Sequence, residues 1–361
     1  MHETYKSKKV LVTGHTGFKG SWLSLWLNKI GAEVVGVSDR IPSAPSNFEV
    51  NQIYDLVKDV RLDLLDTDSI LNLVREEKPD FIFHLAAQAL VRPSYEDPLK
   101  TFKVNSIGTA NLLNAIHMTD HAITAILITS DKVYDNVEWV WGYKESDTIG
   151  GKDPYSASKG MAELVIKTYF NSFLKQTSDK KIAICRAGNV IGGGDWAQDR
   201  IVPDCIRAWA NKEKVEIRNP KATRPWQHVL EPLSGYLHTG AILSNDNSIN
   251  GEAFNFGPND EQNYSVGELV DEMQKSWENV KWINTNDQNK VYEASLLKLN
   301  CDKALSFLNW KPTLDFVDTV KYTVDWYRKY YEGEDIFYFT KEQIEDYEKK
   351  AQSRGIAWSK I

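Results

Sequence analysis

The sequence predicts an α/β fold, a doubly wound parallel sheet with a smaller C-terminal substrate-binding lobe. Three observations carry this. Short apolar runs without polar alternation recur between helical patterns through the first half of the chain, the signature of a parallel sheet covered on both faces. A glycine-rich turn at 14–20 joins the first run to the first helical pattern. Beyond about residue 187 the alternation yields to loop-rich, aromatic-rich chain, with Gly192-Gly193-Gly194 and the stretch 219–227 as its loops.

The elements follow in order. Residues 9–13 form a buried strand, and 21–30 a helix apolar around much of its girth, which Gly31 stops. Strands are predicted at 34–37, 81–85, 125–129 and 181–185, with helices near 66–77, 98–118 and 155–174. Asp97-Pro98 opens the second of these helices as an N-cap followed by proline. Helices return at 201–211, 230–243, 265–278 and 314–330, and the run 253–256 is a late strand for the same sheet. The division is 1–186 for the dinucleotide-binding domain with that late strand added, 187–331 for the second lobe, and a charged tail at 332–361. The tail reads as a docking or solvated appendage, with a helix capped at Thr340-Lys341-Glu342-Gln343.

Composition narrows the function. The chain has 361 residues, 42% hydrophobic and 26% charged, which suits a globular protein of two lobes. A net charge of −7 argues against a nucleic-acid coat, since phosphate neutralisation needs a basic surface. No apolar run approaches the length of about 18 residues that a membrane span requires. Cys185, Cys205 and Cys301 are too few and too scattered for a disulfide framework or a zinc site, so no metal is expected and a reducing cytoplasm is the simplest compartment. The polar start, running straight into a strand, reads as lacking a signal peptide.

Between strand and helix lies Gly14-His15-Thr16-Gly17-Phe18-Lys19-Gly20. Gly14 permits a tight turn, Gly17 lets backbone approach a pyrophosphate, and Gly20 lets helix and strand pack closely. The helix N-terminus adds N–H groups and partial positive charge. With a strand before it and a helix after it, the loop points to a Rossmann-type dinucleotide site. Walker A is disfavoured because Lys19 precedes Gly20 instead of following a glycine. Lys19 can reach a pyrophosphate directly, and His15 can equally cap the turn. Asp39 stands where an acidic residue would hold the adenosine ribose and favours NAD; the adjacent Arg40 keeps NADP open. Asp63 can cap an adenine edge or serve as a loop charge.

Tyr155-Ser156-Ala157-Ser158-Lys159 puts a phenol and an amine four residues apart on one helix face. A tyrosine with its usual pKa near 10 is a poor base; a nearby ammonium favours the phenolate and brings it into a useful range. At the carboxyl end of the fourth strand, Ser130 can hydrogen-bond the hydroxyl that Tyr155 deprotonates. Asp131 and Lys132 add an acid and a base that simple alcohol oxidation does not require, which suggests a second proton-transfer step.

These motifs resemble the extended short-chain dehydrogenase/reductase superfamily of sugar-nucleotide enzymes: Gly14, Gly17 and Gly20, then His84-Leu85-Ala86-Ala87, Asn105, Ser130-Asp131-Lys132 and Tyr155 with Lys159. The phrases 14–23, 86–92, 130–134, 186–196, 199–204 and 224–229 narrow the resemblance to the CDP-glucose 4,6-dehydratases, with Ala89 a departure where that family carries proline. The resemblance implies NAD as cofactor, held by the loop with Asp63, Leu64, Leu85, Ala86, Ala87, Asn105, Thr129, Tyr155 and Lys159. It implies that Tyr155, aided by Lys159 and Ser130, deprotonates the C4 hydroxyl. Lys132 would then take the C5 proton, its pKa lowered by burial near Lys159, and Asp131 would protonate the leaving C6 hydroxyl. Asn189, Arg200 and Arg224, with Ser130 and Tyr292, would bind CDP-glucose or a related nucleotide sugar, arginine forks suiting phosphate. Met161, Leu164, Val165 and Tyr169 recur at helical spacing, as a homodimer interface or core would require. The alternatives are another 4,6-dehydratase, a 4-epimerase without need of Asp131 and Lys132, and a non-catalytic dinucleotide-binding protein.

Overall fold

The computed structural model describes all residues except 218, 260, 261, 278, 279, 285–295, 360 and 361. Seven strands form one parallel sheet: β1 (Lys9–Thr13), β2 (Glu33–Ser38), β3 (Lys58–Arg61), β4 (Phe81–His84), β5 (Ile123–Ile128), β6 (Lys180–Ala187) and β7 (Ala253–Phe256). Their order is β7-β6-β5-β4-β1-β2-β3. Chain order runs outward from β1 on one side and from β4 on the other. The carboxyl ends of β1 and β4 therefore flank the point where winding reverses, the place such sheets keep for ligands.

The longer helices are α1 (Phe18–Ile30), α2 (Thr67–Glu77), α3 (Gly108–His117), α4 (Pro154–Ser172), α5 (Ile201–Ala210), α6 (Leu230–Asn245), α7 (Val266–Gln274), α8 (Phe316–Glu332) and α9 (Ile336–Ser353). Side-chain alternation along β1 divides the core. Val10 and Val12 join a cluster with Trp22 and Trp26 of α1 and Leu233 and Tyr236 of α6. Leu11 faces the other way, into a cluster with Ile70 of α2, Leu112 of α3 and Ile166 of α4. Gly31 ends α1 in the left-handed conformation (φ 92°), as its position implies.

Three features differ from the sequence reading. β3 was not anticipated, because Lys-Asp-Val-Arg on a sheet edge is exposed or half-buried at every position and lacks an apolar run. The helix over 98–118 is interrupted: Pro98–Phe102 passes through a π-helical turn, Lys103–Ile107, before α3 begins. Its start is as read, with the Asp97 side chain accepting from Lys100 N at 2.9 Å. In the tail the helix is capped by Asp335, which accepts from Tyr338 N, while Thr340 lies buried inside it. The tail docks: Ile344, Tyr347, Ala351 and Trp358 join the main core, and Glu348 accepts from Trp26 Nε1 at 2.7 Å and Lys29 Nζ at 2.9 Å.

Candidate active site

The glycine loop is drawn onto the sheet by Gly14 N, which donates to Val37 O at 2.7 Å, and tightened by Gly17 N donating to Gly14 O at 3.0 Å. Gly14 has φ 78°, and a Cβ there would lie 2.7 Å from Ala86 N. Only glycine satisfies both the turn and this approach. α1 starts at Gly17 without a side-chain cap, so its first N–H groups stay available to an anion. Ala86 N in turn lies 3.3 Å from Thr13 Oγ1, which brings the 85–87 backbone against the loop. Asp39 and Arg40 are exposed just past the end of β2. Thr16 ties the loop to that end by donating to Arg40 O at 2.7 Å. The cradle thus fits a dinucleotide.

Several residues expected around the cofactor have side chains committed elsewhere. His15 turns inward, its Nε2 2.9 Å from Asp59 Oδ1 on β3 and its ring edge-on to Phe48. Asn105 accepts from Gln88 N and donates to Gln88 O and Ser158 Oγ, so it fixes the loop after β4 to α4. The Thr129 hydroxyl donates to Glu163 at 2.7 Å. Asp63 closes a turn by accepting from Leu65 N at 2.9 Å, and Leu64 packs near Gly108. In each case the side chain is engaged by a neighbour within the protein. Phe18 packs against the core and the Gly192 backbone region.

The proton-transfer groups do converge. β5 ends at Ile128, and Ser130 caps a short 3-10 turn, Asp131–Val133, by accepting from Lys132 N at 3.2 Å. The Ser130 hydroxyl donates to Asp131 Oδ1 at 2.9 Å. α4 begins beside it, capped by Asp153, and presents Tyr155 and Lys159 inward. Lys132 Nζ lies 5.8 Å from the centre of the Tyr155 ring. Burial pushes the Tyr155 phenol up to about 12, with Ser130 pulling it back down. Burial lowers Lys159 to about 8, against the pull of Glu163. In the free protein desolvation is the larger influence on both groups, ahead of the help that Ser130 gives the phenol. Lys132 is half-buried, not enclosed as its expected role as base implied.

Asp131 is almost wholly buried, and its Oδ2 has no hydrogen-bond partner among the described residues. A Cβ at Gly188 would fall 1.9 Å from that oxygen, so Gly188 leaves the space the carboxylate occupies. This residue escaped the sequence reading; the signal was a glycine just after β6, opposite the turn that follows β5.

Arg200 Nη1 donates to Asp195 Oδ2 at 2.7 Å. Burial, then Arg200, lowers Lys19 to about 8; Lys159 adds to this, while Asp131 and Asp195 oppose it. The charges of Lys159 and Asp131 thus reach Lys19, which leads α1 out of the glycine loop. Arg224 is buried, its Nη1 donating to Thr223 O at 2.8 Å. Asn189 is half-buried with φ 39°, its carbonyl accepting from Gln227 N. Tyr292 lies outside the described residues. Among the described residues, no group of three or more His, Cys, Asp or Glu could hold a metal ion.

A phosphate cradle at the switch point, opening onto a tyrosine, a lysine and an acid–base turn, defines a dinucleotide-dependent enzyme that moves protons at a substrate alcohol. The chain belongs to the GDP-mannose 4,6 dehydratase family, whose model matches residues 11–323. It is 45% identical over 348 residues to CDP-glucose 4,6-dehydratase of Salmonella typhimurium, covering 95% of this chain and 97% of that protein. Pal from Bacillus thuringiensis shares the fold with a TM-score of 0.77 at 25% identity, over 89% of this chain and 99% of its own. UDP-glucuronic acid 4-epimerase from Bacillus cereus, solved with UDP-glucuronic acid and NAD, has a TM-score of 0.75 at 23% identity, over 89% and 99% respectively.

Proposed function

We propose that the chain is a lyase converting CDP-D-glucose to CDP-4-keto-6-deoxy-D-glucose and water. The observation that carries this is Asp131 and Lys132 set beside Tyr155 and Lys159. Oxidation and return at one carbon needs one proton-transfer group, whereas elimination across C5 and C6 needs a further base and a further acid. The close similarity to a CDP-glucose 4,6-dehydratase supports the same reading.

The cofactor is NAD, held at the 14–20 loop with Asp39 beside the ribose. When bound, it supplies a hydride acceptor at C4 and the return of that hydride at C6, so no external reductant is consumed. The chain's own residues move the protons. Tyr155, with Ser130 and Lys159 around it, takes the proton of the C4 hydroxyl. The resulting ketone acidifies C5, and Lys132 removes that proton. Asp131 gives a proton to the C6 hydroxyl, which leaves as water. After reduction at C6, a proton returns to C5. Arg200, Arg224 and Asn189 hold the nucleotide diphosphate, with Tyr292 assigned to the same substrate.

In this reading residues 1–186 with β7 bind the dinucleotide and 187–331 bind the sugar nucleotide. Among the described residues, no helix is long and apolar enough to cross a membrane. A cytoplasmic homodimer making deoxysugars for lipopolysaccharide O-antigen fits these features. The test is incubation with NAD and CDP-glucose deuterated at C4. Label recovered at C6, without net reduced cofactor, supports the dehydratase. Label at C4 of an inverted sugar points to a 4-epimerase, and absence of turnover with CDP-, dTDP-, UDP- and GDP-glucose sinks the reaction.

A further inference from the structure

One buried ion pair outside the reacting groups touches both segments that carry them. Glu163 follows Tyr155 and Lys159 on α4 at four-residue intervals, so the three share a face. Its side chain is wholly buried, as is that of Arg186 on β6. Glu163 Oε1 accepts from Arg186 Nε at 2.7 Å, and Oε2 accepts from Arg186 Nη2, a two-pronged pair. Oε1 also accepts from the Thr129 hydroxyl at 2.7 Å. Arg186 Nη1 donates to the Tyr134 hydroxyl at 2.6 Å, with the guanidinium 4.9 Å from that ring's centre. Tyr134 in turn donates to Asn255 Oδ1 on β7 at 2.8 Å. Thr129 directly precedes Ser130-Asp131-Lys132, and Tyr134 closes the short turn at its other end. The pair grips that turn at both ends, from the helix that carries Tyr155 and Lys159.

We infer that Glu163 and Arg186 are positioning residues that hold the Ser130–Lys132 turn in register with Tyr155 and Lys159, so that oxidation at C4 and elimination across C5 and C6 act on one bound sugar. This rests on the dehydratase reading. Stability alone is a poor reason for the pair, because desolvating two charges offsets most of their attraction and apolar residues could fill the same space. Apolar residues could not aim hydrogen bonds at Thr129 and Tyr134 in fixed directions. Asp131 and Lys132 arrive from a strand end and Tyr155 and Lys159 from a helix, and misplacing one set against the other by an ångström is costly in rate.

Glu163→Gln or Arg186→Met would strand a buried charge and unfold the chain, so the arms of the clamp are the sharper probes. Thr129→Val and Tyr134→Phe each remove one hydroxyl and keep the shape. Amide hydrogen exchange is followed across 129–136 and across β1 and β4, and turnover is measured with CDP-glucose and NAD. Exchange over 130–134 is expected to quicken about ten-fold with β1 and β4 unchanged. In parallel, kcat falls about ten-fold with KM held within about two-fold. Reduced nicotinamide builds up, seen by its near-ultraviolet absorbance, because oxidation proceeds while elimination lags. Unchanged exchange over 130–134, or a rise spread evenly over the sheet, overturns the inference whether or not CDP-glucose is the substrate. Loss of kcat without reduced nicotinamide also counts against it. A wild-type chain that leaves CDP-glucose untouched sinks the dehydratase reading, while the exchange data still decide the clamp.

Discussion

Asp131 occupies a space that one missing side chain creates. Its Oδ2 is buried, has no partner among the described residues, and sits where a Cβ on residue 188 would be. An unpaired buried carboxyl oxygen is costly to a resting protein; in the proposed acid role, a substrate hydroxyl would be its missing partner. Gly188→Ala is therefore expected to push the carboxylate aside and lower kcat for dehydration by about a hundred-fold or more, with the fold retained. Steady-state kinetics beside a circular dichroism spectrum check this; near-wild-type kcat would remove Asp131 from the acid role. The residue types of the site were legible because each lies in an unbroken stretch of chain, 130–132 or 155–159. Side-chain direction was not. The side chains of Thr129, Asn105 and His15, expected around the cofactor, are each paired with a group from another element: Glu163 from α4, Gln88 from the loop after β4, and Asp59 from β3. Pattern along one element carries no information about such partners.

At the scale of elements, the strands with apolar runs could be read and the polar edge strand could not, because β3 is held by its ladder to β2 and not by burial. The sequence left α9 open between docking and solvation, and the structure docks it. Its charged composition suits a solvated helix, while Tyr347 and Trp358 stack with ring centres 5.2 Å apart in the core. Glu231 of α6 is the acceptor that ties this region together. Its carboxylate accepts from Thr313 N at 2.9 Å, Leu314 N at 2.6 Å and the Tyr347 hydroxyl at 2.9 Å. Burial nevertheless pushes the Glu231 carboxyl up to about 7, the backbone N–H groups opposing it. An unfolded glutamate titrates near 4.3, so the folded chain holds this proton more tightly. The resulting stability is full below about pH 4 and is lost as pH rises through about 7. The stability of the wild type relative to Glu231→Gln should therefore fall between about pH 5 and about pH 8. Urea unfolding at several pH values measures it; parallel curves, or a difference that grows with pH, would refute the assignment.

Across the whole molecule, α4 has two faces with separate duties. Tyr155, Lys159 and Glu163 point inward, while Met161 and Leu164 are 44% and 57% exposed. Leu99 and Ile107, on the helical run before α3, are 70% and 51% exposed. That run is fastened to α4 by Asn105 and Ser106, which donate to Ser158. Of the four residues read as interface or core, Val165 and Tyr169 pack partly buried against the core, so the outward apolar stripe is carried by Met161 and Leu164. Exposed apolar side chains gathered on two adjoining helices favour self-association about a two-fold axis, where each copy covers the other's stripe. Light scattering should give a mass twice 41.2 kDa, and Met161→Arg with Leu164→Arg should return it to that of one chain. Both substitutions lie on the outer face, so they leave the spacing of Tyr155 and Lys159 intact, and the monomeric variant tests whether association stiffens the catalytic helix. A fall in kcat that tracks the monomer fraction would tie the outer face of α4 to its inner one. A single-chain mass for the wild type at micromolar concentration would leave the stripe without a partner copy.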